Sequence, residues 1–518
     1  MTKRTGIILG FICLVGLGIR LLPMETVFGG SFVSFIETDA YSRMYYAQQI
    51  ANMSVWDGIV YTFQNNLLFS WLVAMSSHVM PIEVAGAIWP PILGIGTIIV
   101  VYFLAARLFN PTVGLLSALF TAVIPSEFLH RTLLGFADHH ALEVFLFTLM
   151  MYCVVRVIQA DKHRWRWVTG GGMIFVAYII NWKTGVVMVA LLGMIAAGIL
   201  IYGLIKKSQW KQPVLAIGVI CLVALARYGL MLLLPGNGTD LTASATQEVA
   251  STLISPFATR TISELRPMLF PVDGFSLNVV ISNLHLFAVM IFVGAWFLLR
   301  GKADGHTKIL LLVWSGFMLA AALLFRRNLY YFTINIAILS AVAVWEMAVY
   351  LKGKQAVQAA IISIPLVLMS LPMASLLGQN PAFTMSEEWH NALDWLKTQQ
   401  VTGHVTAWSD YGHWIKYVTD HDPNLLPGPG GTEVAQLYLS TDTQESKTLM
   451  DDLNTEYLIV DTPTLNYKIG ALTTISGRHP EIFSTTLIHR LWYQNAPQPY
   501  LVPVYESETI KIFKYYGG

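Results

Sequence analysis

Eleven apolar runs, each close to the length that crosses a membrane, constrain this chain more than any other feature of its sequence. Roughly 20 apolar residues in a helix span the hydrocarbon core of a bilayer. Only 12% of the 518 residues are charged, whereas a soluble protein usually carries about 25%. The sequence therefore predicts an α-helical polytopic membrane protein. The runs lie near residues 5–22, 85–106, 111–126, 141–159, 167–181, 185–206, 212–235, 278–299, 307–325, 328–351 and 355–377.

Basic residues set the expected orientation, because loops rich in lysine and arginine stay in the cytoplasm. Lys3 and Arg4 precede the first run, which reads as a retained helix and not as a cleaved signal peptide. Every second loop that follows is basic, and an odd number of spans places the C-terminal part on the extracytoplasmic side. We therefore expect a multi-pass protein of the inner or plasma membrane. Its predicted parts are a transmembrane domain over 1–377, with long outer loops at 23–84 and 236–277, and an extracytoplasmic domain over 378–518.

The C-terminal part, after residue 378, is less hydrophobic and predicts a small α/β domain. Residues 387–399 have the spacing of an amphipathic helix, and 405–409 and 456–461 read as buried strands. Residues 421–432, rich in proline and glycine, read as a loop. In the long loop 23–84, semi-apolar stretches indicate interfacial helices and not a further span.

Three groups of polar residues flank the predicted outer ends of the helices. Carboxylate and imidazole groups suit a divalent cation such as Mn²⁺ or Mg²⁺. Each group also has an ordinary structural interpretation, in which Asp138 caps a helix and Asp39 is a loop residue. The groups are Glu37 to Tyr41; Asp138, His139 and His140 with Glu143 one turn on; and Thr261 to Glu264.

A basic pair on the same side, Arg326 and Arg327, completes a pattern that fits a metal-assisted site for a diphosphate. The same two residues could equally flank a span. The net charge of +1 argues against a nucleic-acid partner. The three cysteines all fall in apolar runs, so we expect neither a disulfide nor thiol chemistry.

A short motif follows the last apolar run. It consists of Trp408, Ser409, Asp410, Tyr411 and Gly412. Aromatic rings supply rigid walls and the carboxylate accepts hydrogen bonds, so the motif can build a pocket, or simply a strand end and a tight turn. Together with the three polar groups it resembles the catalytic subunit of oligosaccharyltransferase, in its single-subunit bacterial or archaeal form. The family motif is Trp-Trp-Asp-Tyr-Gly, and here Ser409 replaces the second tryptophan.

The resemblance carries over to individual positions. Asp39 matches the first acidic motif of the family, Asp138 with His140 matches the second, and Thr261 to Glu264 match its Thr-Ile-x-Glu motif. Arg327 matches the family's arginine before a late helix, with Arg326 as the other option. The resemblance implies a GT-C type glycosyltransferase with about 11–13 transmembrane helices. It also implies a metal, Mn²⁺ or Mg²⁺, held by Asp39, Asp138, His140 and Glu264.

The implied reaction is transfer of an oligosaccharide from a polyprenyl phosphate or diphosphate to the asparagine of Asn-x-Ser/Thr in a polypeptide. Asp39 and Glu264 would accept the hydrogen bonds of the asparagine amide, and Arg327 would bind the leaving group. The motif at 408–412 would grip the Ser/Thr hydroxyl. The resemblance implies that a single subunit suffices and that membrane lipid surrounds it.

The sequence departs from the family pattern in two respects, and three other interpretations of its function remain. The count of eleven spans is below the family's usual thirteen, and its Asp-x-x-Lys helix motif is unclear, with Lys468 in place but Leu465 where an aspartate would stand. One alternative is another polytopic GT-C enzyme that transfers a lipid-linked sugar to a lipid or to a non-asparagine acceptor. The others are a transporter or channel, which would place ionisable residues near the midplane, and a non-catalytic homologue.

Overall fold

A computed structural model gives the structure of most of the chain. It describes residues 2–159, 163–182, 185–233, 266–269, 274–301, 303–351, 353–379, 384–424, 431–494 and 498–517. The structural statements below concern these residues.

All eleven predicted apolar runs form helices within the described residues. Six of these helices are long and apolar enough to cross a membrane, and a seventh crossing exists if one bent pair of helices counts as a single span. By length and apolar composition, therefore, not all of the eleven predicted spans qualify as membrane-crossing helices. The helices are Lys3–Arg20, Ile82–Leu108, Pro111–Val123, His140–Gln159, Arg164–Asn181, Gly185–Lys206, Lys211–Leu233, Asn278–Leu284 with Phe287–Arg300, Gly305–Leu324, Leu329–Tyr350 and Gln355–Gln379.

The run predicted as a span over 278–299 forms two helices with a bend between them. The helix Asn278–Leu284 ends at His285, whose φ of 46° lies in the left-handed region and interrupts the helical backbone. The next helix, Phe287–Arg300, leaves at 78° to the first. The run at 111–126 is also shorter than predicted, because Ile124 precedes a proline and adopts an extended conformation.

The predicted helices in the loop 23–84 are present. Each is too short to cross a bilayer. In one of them, Val55–Asn65, the Ser54 side chain accepts the backbone N–H of Asp57 and so satisfies one of the free N–H groups of the first turn. The four helices are Met24–Phe28, Thr38–Ala51, Val55–Asn65 and Leu68–Ser76.

The described residues divide into two compact units. The first comprises those of 1–25, 47–254 and 264–381 and contains the long apolar helices. The helix Leu329–Tyr350 is buried on every side from Leu329 to Val344, which is the burial expected of a central helix. Its neighbour Phe287–Arg300 approaches it closely at Gly294, where a Cβ atom would come within 1.9 Å of the Leu339 carbonyl oxygen.

The second unit comprises the described residues of 26–46 and 382–518. Its four-stranded sheet has the order β1-β2-β4-β3, with β1 parallel to β2 and the other two pairs antiparallel. The predicted α/β character of the C-terminal part is thus confirmed. The strands are β1 (His404–Thr406), β2 (Thr455–Asp461), β3 (Leu501–Glu506) and β4 (Ile510–Tyr515).

Short helices surround this sheet, and the amphipathic one predicted at 387–399 is confirmed. The strand predicted at 405–409 is only partly correct, because β1 ends at Thr406 and a 3-10 turn takes in Ser409. Three short segments are 3-10 helices: Arg326–Asn328 in the first unit, and Ser409–Tyr411 and Pro480–Thr485 in the second. The α-helices of the C-terminal part are Glu387–Lys397, Gly412–Thr419, Thr432–Tyr438, Thr443–Asp452, Thr462–Tyr467, Ile469–Ser476 and Leu487–Tyr493.

Candidate functional site

A buried group of ionisable side chains lies where the helix His140–Gln159 begins. Asp138, His139 and His140 each offer one ligand atom, and these three atoms lie within 4.8 Å of one another. Asp138 Oδ1 is 2.5 Å from His139 Nδ1, and Asp138 Oδ2 is 3.2 Å from His140 Nε2. All three side chains are buried. The predicted pair Asp138 and His140 is therefore brought together, with His139 beside it.

The loop that carries Asp138 is fixed by backbone hydrogen bonds. The Leu134 N–H donates to the carbonyl of Arg20 at 2.8 Å, and the Gly135 N–H donates to that of Ala87 at 3.0 Å. Gly135 has a φ of 85°, a conformation that a glycine adopts without steric cost. The helix begins at His140, so Asp138 lies one residue ahead of the capping position and its carboxylate reaches two imidazole rings instead.

The two arginines predicted at the site have different partners. Arg326 forms an ion pair with Glu127 at 2.9 Å. The Arg327 guanidinium stands 5.9 Å from the centre of the Trp182 ring, and that ring stacks on His139 at 4.2 Å. Of the pair, Arg327 is thus the arginine that is connected through Trp182 to the buried group.

Several residues of this region were missed by sequence reasoning. Trp182 covers one face of His139, and its sequence context alone gave no signal of this contact. Three tyrosines surround Glu143: Tyr178, Tyr330 and Tyr331. The aromatic stretch after Arg327 was the only available signal for two of them.

The motif at 408–412 forms the turn between strand β1 and the helix Gly412–Thr419. Trp408 precedes the 3-10 turn Ser409–Tyr411, and its side chain is buried. Gly412 has a φ of −57° and a ψ of −40°, which is ordinary right-handed helix, so the backbone does not use the conformational freedom of this glycine. Ser409 is buried as well, in the position where the family motif has its second tryptophan.

Asp410 and Lys468 form an ion pair within the second unit, with Asp410 Oδ2 2.5 Å from Lys468 Nζ. Each side chain is 29% exposed, so solvent reaches the pair from one side. Lys468 ends the helix Thr462–Tyr467, and the aspartate that starts this helix is Asp461. Asp461 thus lies seven residues before Lys468, and Leu465, which stands where the family motif has its aspartate, is buried.

The buried Asp461 carboxylate holds the motif at 408–412 in place through hydrogen bonds. Its carboxylate accepts the backbone N–H of Thr464 and the indole N–H of Trp389, both at 3.1 Å, and it also interacts with the Tyr411 hydroxyl. Burial raises the pKa of the Asp461 carboxyl group above its ordinary value. The rings of Trp389 and Tyr411 pack with centroids 4.4 Å apart. This carboxylate thus joins the motif to the helix that carries Lys468.

Replacing Asp461 by alanine should destabilise the C-terminal part by about 3 kcal/mol, because the change removes a helix cap and leaves buried donors without an acceptor. The matched control is Asp442→Ala. Asp442 caps the helix Thr443–Asp452 through the Glu445 N–H at 2.8 Å but is exposed, so its loss should cost about 1 kcal/mol. Hydrogen exchange of peptides from residues 462–476 and 443–452, followed by mass spectrometry, measures both. Equal losses would contradict the supporting role.

Asp39 lies in the first turn of the helix Thr38–Ala51 and is not a loop residue. Its carboxylate is about half exposed, and Oδ1 lies 3.6 Å from Nε2 of His413, the residue directly after the motif. Within the second unit, the ring of Tyr41 also packs on Trp414, with centroids 5.9 Å apart. The predicted residues Thr261 to Glu264 lie outside the described residues.

The buried group of the first unit fits a divalent cation. A carboxylate and two imidazoles place ligand atoms within 4.8 Å of one another in a buried position, and these ligand types are found around divalent transition metals. An imidazole ligand is less typical of Mg²⁺, which prefers oxygen ligands and water. Among the described residues, Asp138, His139 and His140 form the cluster whose ligand atoms lie close enough together to hold such an ion.

Comparison with known proteins identifies the fold. The archaeal oligosaccharyltransferase AglB from Archaeoglobus fulgidus, in complex with an inhibitory peptide and a dolichol-phosphate, superposes with a TM-score of 0.81 at 15% identity. The alignment covers 98% of this chain and 80% of that one. A complex of the A. fulgidus oligosaccharyltransferase with zinc and sulfate gives a TM-score of 0.73 at 16% identity, covering 97% of this chain and 79% of that one. The fold and the site together define a polytopic membrane protein of the GT-C type with a C-terminal α/β domain.

The family follows from the sequence match. A model of "Oligosaccharyl transferase STT3, N-terminal" matches residues 66–376. The chain belongs to this family. The dolichyl-phosphooligosaccharide-protein glycotransferase 2 of Pyrococcus horikoshii is 30% identical over 185 residues, which are 34% of this chain and 23% of that protein. The matched stretches cover between 6% and 28% of the length of the curated archaeal relatives.

Proposed function

We propose that this protein transfers an oligosaccharide en bloc from a polyprenyl phosphate or diphosphate to the side-chain amide nitrogen of asparagine in Asn-x-Ser/Thr. The observation that carries the proposal is the buried group of Asp138, His139 and His140, linked through Trp182 to Arg327, in a member of the STT3 family. The names of the matched relatives and the dolichol-phosphate and peptide bound to the A. fulgidus protein support the same donor and acceptor classes.

The reaction replaces the bond between the anomeric carbon and the phosphate oxygen by a bond to the amide nitrogen, which loses a proton. That nitrogen is a weak nucleophile because its lone pair is delocalised into the carbonyl group. We assign Asp39 and Glu264 to accept its N–H hydrogen bonds, which orients the nitrogen and weakens this delocalisation. A divalent cation, Mn²⁺ or Mg²⁺, would supply charge that stabilises the departing phosphate. Asp39, Asp138, His140 and Glu264 would hold it.

Arg327 is the residue proposed to bind the leaving phosphate. A guanidinium group offers several N–H donors in one plane and suits phosphate oxygens. Arg326 is less suited to this role because its guanidinium is engaged by Glu127 at 2.9 Å. The carboxylate of Glu127 lies 3.7 Å from Arg131 as well, so two arginines share this carboxylate.

The motif at 408–412 is proposed to bind the acceptor through the hydroxyl group two residues after the asparagine. The Asp410 carboxylate can accept a hydrogen bond from that hydroxyl, and Lys468 fixes the carboxylate from the other side. The buried indole of Trp408 and the ring of Tyr411 supply rigid apolar walls. Ser409 makes this pocket wider than a second tryptophan would.

The proposed orientation puts the N-terminus in the cytoplasm. The proposed active-site residues and the C-terminal domain would then lie on the extracytoplasmic side of an inner or plasma membrane. Acceptor polypeptides would then be modified as or after they cross the membrane. We propose that a single subunit suffices, because the acceptor motif and the acidic residues lie on one chain. Surrounding membrane lipid and a polyprenyl-linked donor are the other partners.

Peptide glycosylation by the purified full chain in membranes tests this function. A fluorescent Asn-x-Thr peptide, a lipid-linked oligosaccharide extract and Mn²⁺ should give a mobility shift that EDTA abolishes and that an Asn-x-Ala peptide does not give. A chain that binds Mn²⁺ but shifts no peptide with a range of donors would instead support transfer to a lipid or another non-asparagine acceptor.

A further inference from the structure

Glu143 lies one helical turn after His140 and contacts the imidazole nitrogen that faces away from Asp138. Its Oε2 atom is 3.1 Å from His140 Nδ1, while His140 Nε2 is 3.2 Å from Asp138 Oδ2. The two nitrogens of the His140 ring are thus each in contact with a different carboxylate, Asp138 at Nε2 and Glu143 at Nδ1. The Glu143 side chain is 1% exposed.

Three tyrosines from two other helices hold the Glu143 carboxylate. Tyr178, from the helix Arg164–Asn181, donates to Oε1 at 3.2 Å, and Tyr331 donates to the same oxygen. Tyr330 donates to Oε2 at 3.2 Å. All three rings are buried, and the carboxylate therefore has one defined position in the packed interior.

These contacts use the acceptor capacity of the carboxylate. The two oxygens of an ionised carboxylate offer about four lone-pair positions. Two hydroxyl groups donate hydrogen bonds to Oε1, and one hydroxyl group and one imidazole N–H donate to Oε2. A metal ligand needs a lone pair directed at the ion. Glu143 is therefore suited to orient a ligand and not to be one.

We propose that Glu143 is a positioning residue that accepts a hydrogen bond from the Nδ1–H group of His140 and so keeps His140 Nε2 as the metal-binding nitrogen. A neutral imidazole carries one N–H proton, so a hydrogen-bond acceptor at Nδ1 keeps the proton on Nδ1 and leaves the lone pair at Nε2. Carboxylates that bind the far nitrogen of a ligating histidine also fix the orientation of the ring and raise its basicity. The inference rests on the proposed metal-dependent function, because it assigns His140 as a ligand.

The test is a titration of the purified full chain with Mn²⁺, in which electron paramagnetic resonance reports the free ion. Glu143→Ala should raise the Kd for Mn²⁺ by about 10- to 100-fold, which is the usual effect of losing such a partner. Glu143→Gln retains one oxygen but loses the charge, so its increase should be smaller, about three- to tenfold. Because a merely structural role does not change the affinity of the folded fraction, thermal unfolding is followed alongside.

Glu127→Gln is the matched control. It makes the same change of acid to amide at a buried position of the same unit, but the ion pairs of Glu127 are with Arg131 and Arg326 and not with a proposed metal ligand. Its Kd for Mn²⁺ should stay within about twofold of the wild-type value. If Glu143→Ala does not fold, Glu143→Gln decides the question alone.

Wild-type affinity in Glu143→Gln and in any folded Glu143→Ala would overturn the inference, whatever happens to their unfolding temperatures. A wild-type chain that binds no Mn²⁺ would overturn it too, since His140 would then not be a ligand. The proposed reaction fails separately, if a chain that binds Mn²⁺ glycosylates no Asn-x-Thr peptide. In that case the expected loss of affinity in the Glu143 variants would still support the positioning role.

Discussion

Replacing Asp138 by asparagine should lower the rate of peptide glycosylation by about 100- to 1000-fold, the size of effect seen when one electrostatic group is removed from an active site. The change removes the only negative charge within hydrogen-bonding distance of His140 Nε2, which lies 3.2 Å from Asp138 Oδ2, among the described residues. An asparagine amide would also direct N–H donors toward the nitrogens of His139 or His140. Both effects weaken the proposed binding of a cation.

The measurement is single-turnover transfer to a fluorescent Asn-x-Thr peptide at saturating Mn²⁺. Asp442→Asn serves as the control, because Asp442 is exposed and asparagine caps helices about as well as aspartate. Its rate should equal that of the wild-type chain. An Asp138→Asn rate within about threefold of wild type would remove Asp138 from the proposed site.

The second large effect is expected for acceptor discrimination. Asp410→Ala should lower kcat/KM for an Asn-x-Thr peptide by about 100-fold and leave the low rate for Asn-x-Ala nearly unchanged. A pocket built to hydrogen-bond a hydroxyl rejects an acceptor without one because its own polar groups are left unpaired. Without the carboxylate, that penalty disappears and the two peptides should react at similar rates.

Asp422→Ala is the matched control for this prediction. Asp422 pairs with Lys416 at 2.8 Å in the same unit, much as Asp410 pairs with Lys468, and the hydrogen bond from Lys416 lowers the pKa of the Asp422 carboxyl. Asp422 is exposed and lies outside the motif, so the Thr-to-Ala preference should not change. If Asp410→Ala keeps the full preference, the motif at 408–412 does not read the hydroxyl.

Much of the fold could be predicted from the sequence because apolar runs and their lengths determine where helices form in a membrane protein. The bend after Leu284 could not be predicted, because a histidine such as His285 does not by itself indicate a positive φ. The motif at 408–412 was read partly as a strand, yet Trp408 is followed by a 3-10 turn. Residues 405–409 are all buried, and a continuous buried stretch does not reveal where the strand ends and the turn begins.

In the candidate site, too, contacts between residues close in sequence could be predicted, whereas contacts between distant residues could not. Asp138 and His140 are two residues apart at a helix start, so their proximity is a local property that spacing predicts. The contact of Glu143 with His140 likewise follows from a separation of three residues on a helix. The tyrosines that hold Glu143 come from 35, 187 and 188 residues away along the chain. Such contacts are set by helix packing and leave no local pattern.

The arrangement around Asp461 bears on how acceptor preference could evolve or be engineered. The buried carboxylate carries the hydrogen bonds on which the local fold depends, while Asp410 and Lys468, which face the proposed acceptor, are partly open to solvent. Substitutions at the exposed pair can therefore alter recognition with little loss of stability. A library that varies positions 410 and 468 and retains Asp461 is the natural starting point for changing the proposed acceptor preference.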